Sequence, residues 1–276
     1  MLLNEIQPCP ALREFVRMYR IIDFKFPDGI IIPKKSYPPR PEHCLQFVIR
    51  SITKITYPGS KDDITMYPAS LLGQHNIVNV REITSRELLS LQVVFQPSAL
   101  HRWFGLPTQE LTNAMIDGNI FFGKEMDFIS ERLCYAKNYD EMISIVEEFL
   151  RAQTRRMKKQ FHPVDQVFNM LLSGNDSFLL EKYAQLACLS YRQFDRKFME
   201  RAGISPKEFL QVTRFDKVFR MKNRYPDRDW LTIALQCGYY DYQHLTKDYK
   251  YFTGKTPADF FSMDNAPERI LGDSET

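Results

Sequence analysis

The sequence predicts an α+β protein: an N-terminal β-barrel or sandwich-like domain with a helical subdomain, then an all-α C-terminal domain in which a linker helix joins two helix-turn-helix units. Three observations predict this. Up to Gln96, apolar and β-branched runs are separated by Pro- and Gly-containing turns. From Pro97 onward the apolar residues take helical spacing. Between Leu180 and Gly254 one helix-turn-helix pattern is written twice.

The strand signals are IIDFKF (Ile21 to Phe26), CLQFVIRSITKITY (Cys44 to Tyr57) and LLSLQVVFQ (Leu88 to Gln96). Helical segments follow in ALHRWFGLP (Ala99 to Pro107), MDFISERLCYAKN and DEMISIVEEFLRAQ. In the last of these Ile143, Val146, Phe149 and Leu150 form an apolar stripe against Glu147 and Glu148. Charge divides the chain further. Residues 1–150 hold 16 Lys+Arg against 18 Asp+Glu, and residues 160–262 hold 15 against 12. Between them RAQTRRMKK (Arg151 to Lys159) carries five positive charges and no negative one. The expected organisation is therefore a β-rich domain over 1–150, helical from about 98, a basic linker over 151–160, an α-helical domain over 161–262 and a flexible tail over 263–276.

The first copy of the repeat reads LEKYAQLACLSYRQFDRKFMERAG (Leu180 to Gly203) and the second WLTIALQCGYYDYQHLTKDYKYFTG (Trp230 to Gly254). Each has a small residue in its first helix, Ala184 or Ala234, which lets a second helix cross close by. Each then turns at Cys188 or Gly238. Glycine adopts φ > 0 at little cost, whereas cysteine does so less readily. Ser190 and Asp241 are N-cap residues, so the second helices are expected to start near Tyr191 and Tyr242. Phe194/Phe198 and Leu245/Tyr249 anchor them to a core. Between the units, Ser205 and Pro206 open a linker helix running to about Arg224, with Glu208 as the third-position carboxylate of a capping box. That helix would be ~28 Å long at 1.5 Å per residue, close to the roughly 34 Å between successive major-groove faces on one side of DNA.

With the anchors facing inward at about 100° per residue, Arg192, Arg196 and Met199 point outward, flanked by Gln193 and Asp195. In the second unit Gln243, Lys247 and Lys250 point outward, flanked by His244 and Thr246. Arg is suited to guanine, Gln to adenine and Asp to cytosine, while Lys neutralises phosphate. A solvated polar face is the plain alternative for one helix; repetition in the same register favours double-stranded DNA as the partner. Arg155, Arg156, Lys158 and Lys159 either form a solvated linker or add a salt-dependent contact to the DNA backbone.

These residues carry a resemblance. From about His162 to Phe261 the chain resembles the DNA-binding domain of AraC-type (AraC/XylS) bacterial transcription regulators. The matching residues are Ala184, Ser190, Phe194, Arg196, Phe198, Gly203, Ser205-Pro206, Phe209 and Arg214. The match resumes with Ile233-Ala234, Gly238-Tyr239, Asp241, Leu245, Lys247, Tyr249-Lys250, Gly254 and Thr256-Pro257. The resemblance implies DNA contacts from Arg192, Asp195, Arg196, Tyr242, Gln243, Thr246 and Lys247. It also implies promoter DNA as target, activation through RNA polymerase, and an N-terminal domain that binds a small effector or forms a homodimer. PALREFVRMYRIID and LQVVFQPSALHRWFGLP are similar to a variant N-terminal domain of that family and leave the effector unknown. Val218, Lys247 and Phe261 depart from the family pattern. Because lysine is a point charge rather than a planar fork, Lys247 is expected to give the second unit more backbone affinity than base specificity.

Other classes find little support. At 276 residues, 44% of them apolar, the chain has material for two cores. The sequence has no apolar run of membrane-spanning length and no N-terminal signal pattern, and five scattered cysteines point to reduced thiols, so a cytoplasmic protein is expected. His43, His75 and His101, with Cys44, lack metal-motif spacing, and are expected as separate surface or turn histidines. No nucleophile elbow, phosphate loop or CxxC motif occurs, so no catalytic residue, metal or cofactor is expected and the protein is read as not an enzyme. The alternatives are a catalytic barrel fused to a DNA-binding domain and an architectural DNA-binding protein without effector. Trp103, Phe104, Phe121, Phe122 and Phe128 are expected as core rather than pocket lining.

Overall fold

The computed structural model of the protein describes residues 2–26, 28–29, 32, 34–173 and 180–263. All but the first residue of the expected tail lies outside the described residues.

The N-terminal strands are β1 (Leu2–Ile6), β2 (Val16–Lys25), β3 (Lys35–Tyr37), β4 (Cys44–Arg50), β5 (Thr53–Thr56), β6 (Ile64–Thr65), β7 (Ala69–Leu72), β8 (Asn79–Ile83), β9 (Glu87–Phe95) and β10 (Met115–Asp117). They form two antiparallel sheets, ordered β1-β2-β9-β4-β7-β10 and β3-β8-β5-β6, and no closed barrel among the described residues. The run Cys44 to Tyr57 is two strands rather than one. Ser51 takes φ 102° between them and sends β4 into the larger sheet and β5 into the smaller.

Why the central strands read as continuous apolar runs is now evident. On one face of the large sheet Tyr19, Ile21, Leu45, Leu91 and Val93 join a core completed by helices α1 (Ala99–Phe104), α2 (Gly118–Phe122), α3 (Glu125–Tyr135) and α4 (Tyr139–Thr154). On the other face Ile22, Phe24 and Leu88 pack against Ile83 of the small sheet. A strand covered on both sides has little use for polar alternation. Arg20, Gln92 and Gln46 stand out for that reason, lying in register across β2, β9 and β4 as a polar stripe between the sheets. Trp103 and Phe122 are core, Phe104 and Phe121 pack against it, and Phe128 is exposed.

The C-terminal region comprises α5 (Pro163–Ser173), α6 (Leu180–Leu186), α7 (Tyr191–Ala202), α8 (Pro206–Arg224), α9 (Trp230–Gln236), α10 (Tyr242–Thr253) and α11 (Pro257–Met263). Phe168, Phe194, Phe198, Phe209, Phe215 and Phe219 are at most 2% exposed in its core, each burial stabilising by about 1.5–3 kcal/mol. α8 has the expected bounds, but its capping box is half made. Ser205 accepts from the Glu208 amide, while the Glu208 carboxylate accepts from Asn76 Nδ2 at 2.7 Å and Tyr251. A partner from the other domain is the better donor for that carboxylate.

The histidines also differ from expectation. His43 and His101 are buried, and His75 is half-buried with Nδ1 facing the Gly73 carbonyl at 2.8 Å and Nε2 facing the Tyr57 hydroxyl. His43 and His75 sit in packed loops and His101 in α1, placements that the spacing of histidines alone does not reveal. Among the described residues no group of three or more His, Cys, Asp or Glu side chains gathers as a metal site, and no helix is long and apolar enough to cross a membrane.

Candidate nucleic-acid interface

The two units repeat at the level of individual hydrogen bonds. In the first, the Cys188 amide donates to Gln185 O and the Leu189 amide to Ala184 O. In the second, the Gly238 amide donates to Leu235 O and the Tyr239 amide to Ala234 O. Cys188 takes φ 56° and Gly238 φ 83°, so both turns use the left-handed region although only one has glycine. The second turn is one residue longer, with the exposed Tyr240 as the addition.

Caps then fix where each second helix begins. Ser190 caps α7 and forms a full capping box with Gln193, whose Oε1 accepts from the Ser190 amide at 3.1 Å. Asp241 caps α10 by accepting from the His244 amide at 2.6 Å. Both helices close at a left-handed glycine, Gly203 and Gly254.

Buried polar groups hold the units rigid. Arg201 Nη1 of α7 donates to both oxygens of Asp165 on α5, at 2.8 and 3.0 Å, with both side chains buried. Asp248 of α10 accepts from Tyr239 Oη at 3.0 Å and from Gln211 of α8. Burial, with the Asp248 charge, pushes the Tyr239 hydroxyl far above its ordinary pKa, so it remains a donor. Arg214 of α8 lies over the Tyr239 ring, tying the second turn to the linker helix.

On this frame Arg192, Gln193, Arg196, Gln243, Lys247 and Lys250 are exposed, while Asp195, Tyr242 and Thr246 are half-buried. Gln193 has its amide oxygen committed to the cap. Thr246 donates its hydroxyl to the Tyr242 carbonyl, and Tyr242 packs on the helical core. Each exposed set lies on a helix whose opposite face carries the fully buried anchors, Phe194 and Phe198 or Leu245 and Tyr249. A donor-rich ridge on a rigid helix suits a groove lined with base edges and phosphates.

The N-terminal domain grips this frame at several points. Thr108 Oγ1 donates to Glu200 O and Thr112 Oγ1 to Gly203 O, fastening the end of α7. His101 Nε2 lies 3.6 Å from Glu200 Oε1. The Val78 amide donates to Phe252 O of α10, and Val78 joins the helical core. On α8, Asp216 Oδ1 lies 3.9 Å from Arg40 and Arg220 lies 4.0 Å from Glu5. The basic segment is docked as well, with the Lys158 and Lys159 amides both donating to Arg102 O. None of these contacts is legible from local sequence pattern.

The comparisons agree with this geometry. Residues 183–263 match a family model described as a helix-turn-helix domain, of AraC type. Among solved structures, the chain is similar to ToxT from Vibrio cholerae strain SCE256 with an unsaturated fatty acid bound. The TM-score is 0.51 at 11% identity, covering 93% of this chain and 97% of that one. ToxT from Vibrio cholerae O395 gives a TM-score of 0.50 at 9% identity, covering 93% and 99%. The DNA-binding domain of AdpA, in complex with a target DNA, gives a TM-score of 0.35 at 24% identity, covering 38% and 96%. No curated protein matches the sequence. The C-terminal region is thus an AraC-type helix-turn-helix domain, in the two-domain fold that ToxT also has, and the chain is a DNA-binding transcription regulator.

Proposed function

We propose that this regulator is cytoplasmic and non-enzymatic, activates transcription from specific promoters, and senses an effector through its β-rich domain. The doubled unit, with its turn bonds repeated and its two polar ridges exposed, carries this reading. Arg192, Gln193, Asp195 and Arg196 of α7 read one major-groove segment. Tyr242, Gln243, Thr246, Lys247 and Lys250 of α10 read or grip the next. The boundaries at 150, 160 and 262 separate sensor, linker and reader, although α4 continues a turn beyond the first of them. Activation through RNA polymerase follows from the family resemblance. The unsaturated fatty acid held by one ToxT structure supports a sensory role for the shared N-terminal architecture. Homodimer formation through the same domain is compatible with that role.

Genome-wide mapping of bound sites, followed by titration on the recovered sequence, tests the reading. Arg196→Ala is expected to cost about 1–3 kcal/mol and to relax preference at one base pair. Lys247→Ala is expected to weaken binding uniformly across sequences; loss of a single base preference instead would assign Lys247 to base reading. Replacing Arg155, Arg156, Lys158 and Lys159 by glutamine should flatten the salt dependence of binding, each lost phosphate contact lowering the slope by about 0.9. An unchanged slope removes the linker from the interface. Uniform, salt-sensitive binding with no preferred site would replace the regulator reading by an architectural one.

A further inference from the structure

Between the two sheets lies a half-open cleft, whose lining includes Arg20, Tyr37, Arg40, Glu42, Asn79 and Arg81. Arg20 spends its donors on Glu5, Glu42 and Gln92. Arg81 is placed differently. It donates to Asn79 Oδ1 and Gln46 Oε1, lies 4.0 Å over the Tyr37 ring, and among the described residues pairs with no carboxylate. Among the described residues, the lining itself carries three guanidinium groups, Arg20, Arg40 and Arg81, and one carboxylate, Glu42.

The excess is positive and fixed. Although burial opposes its ionisation, the charges of Arg20, Arg17 and Arg40 hold Glu42 far below the usual carboxylate range, so it is already counted as an anion. Burial pushes His75, on the cleft wall, down to about 4, so it adds no charge at neutral pH. A positive surplus in a half-enclosed site is costly until an anion meets it. A long acyl chain laid against Arg81, Asn79 and Gln92 would strip their water and replace none of it.

Two wires run from this cleft to the DNA-reading half. Arg40 contributes to the lining and also faces Asp216 of the linker helix α8. His75 contributes to the lining, and the next residue, Asn76, donates to Glu208 at the start of α8; two residues further, Val78 binds α10. Both helix-turn-helix units are held to the N-terminal domain in this arrangement, which fixes their mutual orientation.

Resting on the sensory reading of the N-terminal domain, we propose that this cleft binds a compact hydrophilic anion, a carboxylate or a phosphate, between Arg81 and Arg40. The anion competes with Asp216 for Arg40, loosens the hold on α8, and so raises affinity for DNA by letting both units settle into the groove.

The test uses the full chain. Citrate and ribose 5-phosphate are titrated calorimetrically, with ribose as neutral control and laurate as long-chain control, and binding to the mapped DNA site is measured with and without each. Either compact anion is expected to bind with Kd below about 1 mM, the choice between them telling carboxylate from phosphate. Arg81→Gln is expected to weaken that binding by about tenfold with an unchanged circular dichroism spectrum. Asp216→Asn is expected to tighten anion binding several-fold and to remove its effect on DNA affinity. Asn76→Ala cuts the second link without touching the buried ion pairs and is expected to reduce that effect, which keeps the coupling testable if Asp216→Asn does not fold. The proposal is overturned if neither anion binds, if ribose or laurate binds as well, if Arg81→Gln changes nothing, or if the anion leaves DNA affinity unaltered. DNA binding without anion is scored separately: its loss sinks the regulator reading, whereas intact DNA binding with a silent cleft sinks only this inference.

Discussion

Cys188 occupies a position whose backbone belongs to glycine. Its φ of 56° matches the φ of 83° at Gly238, and the same pair of backbone hydrogen bonds closes over each. A β-carbon in the left-handed region costs roughly 1–2 kcal/mol, part of which is offset because glycine has more freedom to lose on folding. Cys188→Gly is therefore expected to stabilise the protein by about 1 kcal/mol and to leave DNA affinity unchanged, as read from the urea midpoint and a DNA titration. Destabilisation would mean that the exposed thiol makes a contact that outweighs the backbone strain. The residue was legible as a turn because it follows Ala184 by the same four residues that separate Gly238 from Ala234, with the N-cap Ser190 close behind. What the sequence left open was whether the chain would accept the strain, a question decided by the packed helices on both sides.

At the scale of elements, the helices of the reading half were legible almost to the residue, since caps are local chemistry. Ser190, Ser205 and Asp241 each accept from the third amide ahead, and α7, α8 and α10 start where those side chains place them. Glu208 marks where local chemistry stops being sufficient, its carboxylate going to Asn76 across the chain instead of closing the box. Helix ends show the same contrast. Gly203 and Gly254 both end recognition helices with positive φ, but a β-carbon at Gly254 would meet nothing within 4 Å, whereas one at Gly203 would lie 3.0 Å from Thr112 Oγ1 and 3.1 Å from Thr108 O. Gly254→Ala should cost about 1 kcal/mol, the conformational penalty alone. Gly203→Ala adds a clash with the segment that fastens α7 to the N-terminal domain, and is expected to cost roughly 1–3 kcal/mol more. Urea midpoints of the two variants decide the point. Equal losses would show that the contact at Gly203 yields without cost.

The whole molecule is where sequence reading ran out, because the docking of the two halves and the polar stripe between the sheets join residues far apart in the chain. Arg20 was visible only as one charge in an apolar strand, and its in-register partner Gln92 lies on β9. His43 and His75 read as ordinary turn residues, yet the fold buries the His43 imidazole and half-buries that of His75. Burial pushes each of them from 6.5 down to about 4, with His75 adding a smaller push on His43. In the unfolded chain both take up protons below about pH 6.5; in the native fold they stay neutral until about pH 4. The unfolded state therefore binds more protons across that window, and stability rises with pH through it. Conversely, stability is complete above about pH 6.5 and is lost as the pH falls, by about 2 kcal/mol for each imidazole between pH 7 and pH 5. Urea unfolding at a series of pH values should show this slope for the full chain. The double variant His43→Leu with His75→Gln should lose most of it, because neither replacement titrates. A variant that keeps the parental slope would place the proton-linked loss in other groups and remove these two histidines from the account of acid sensitivity.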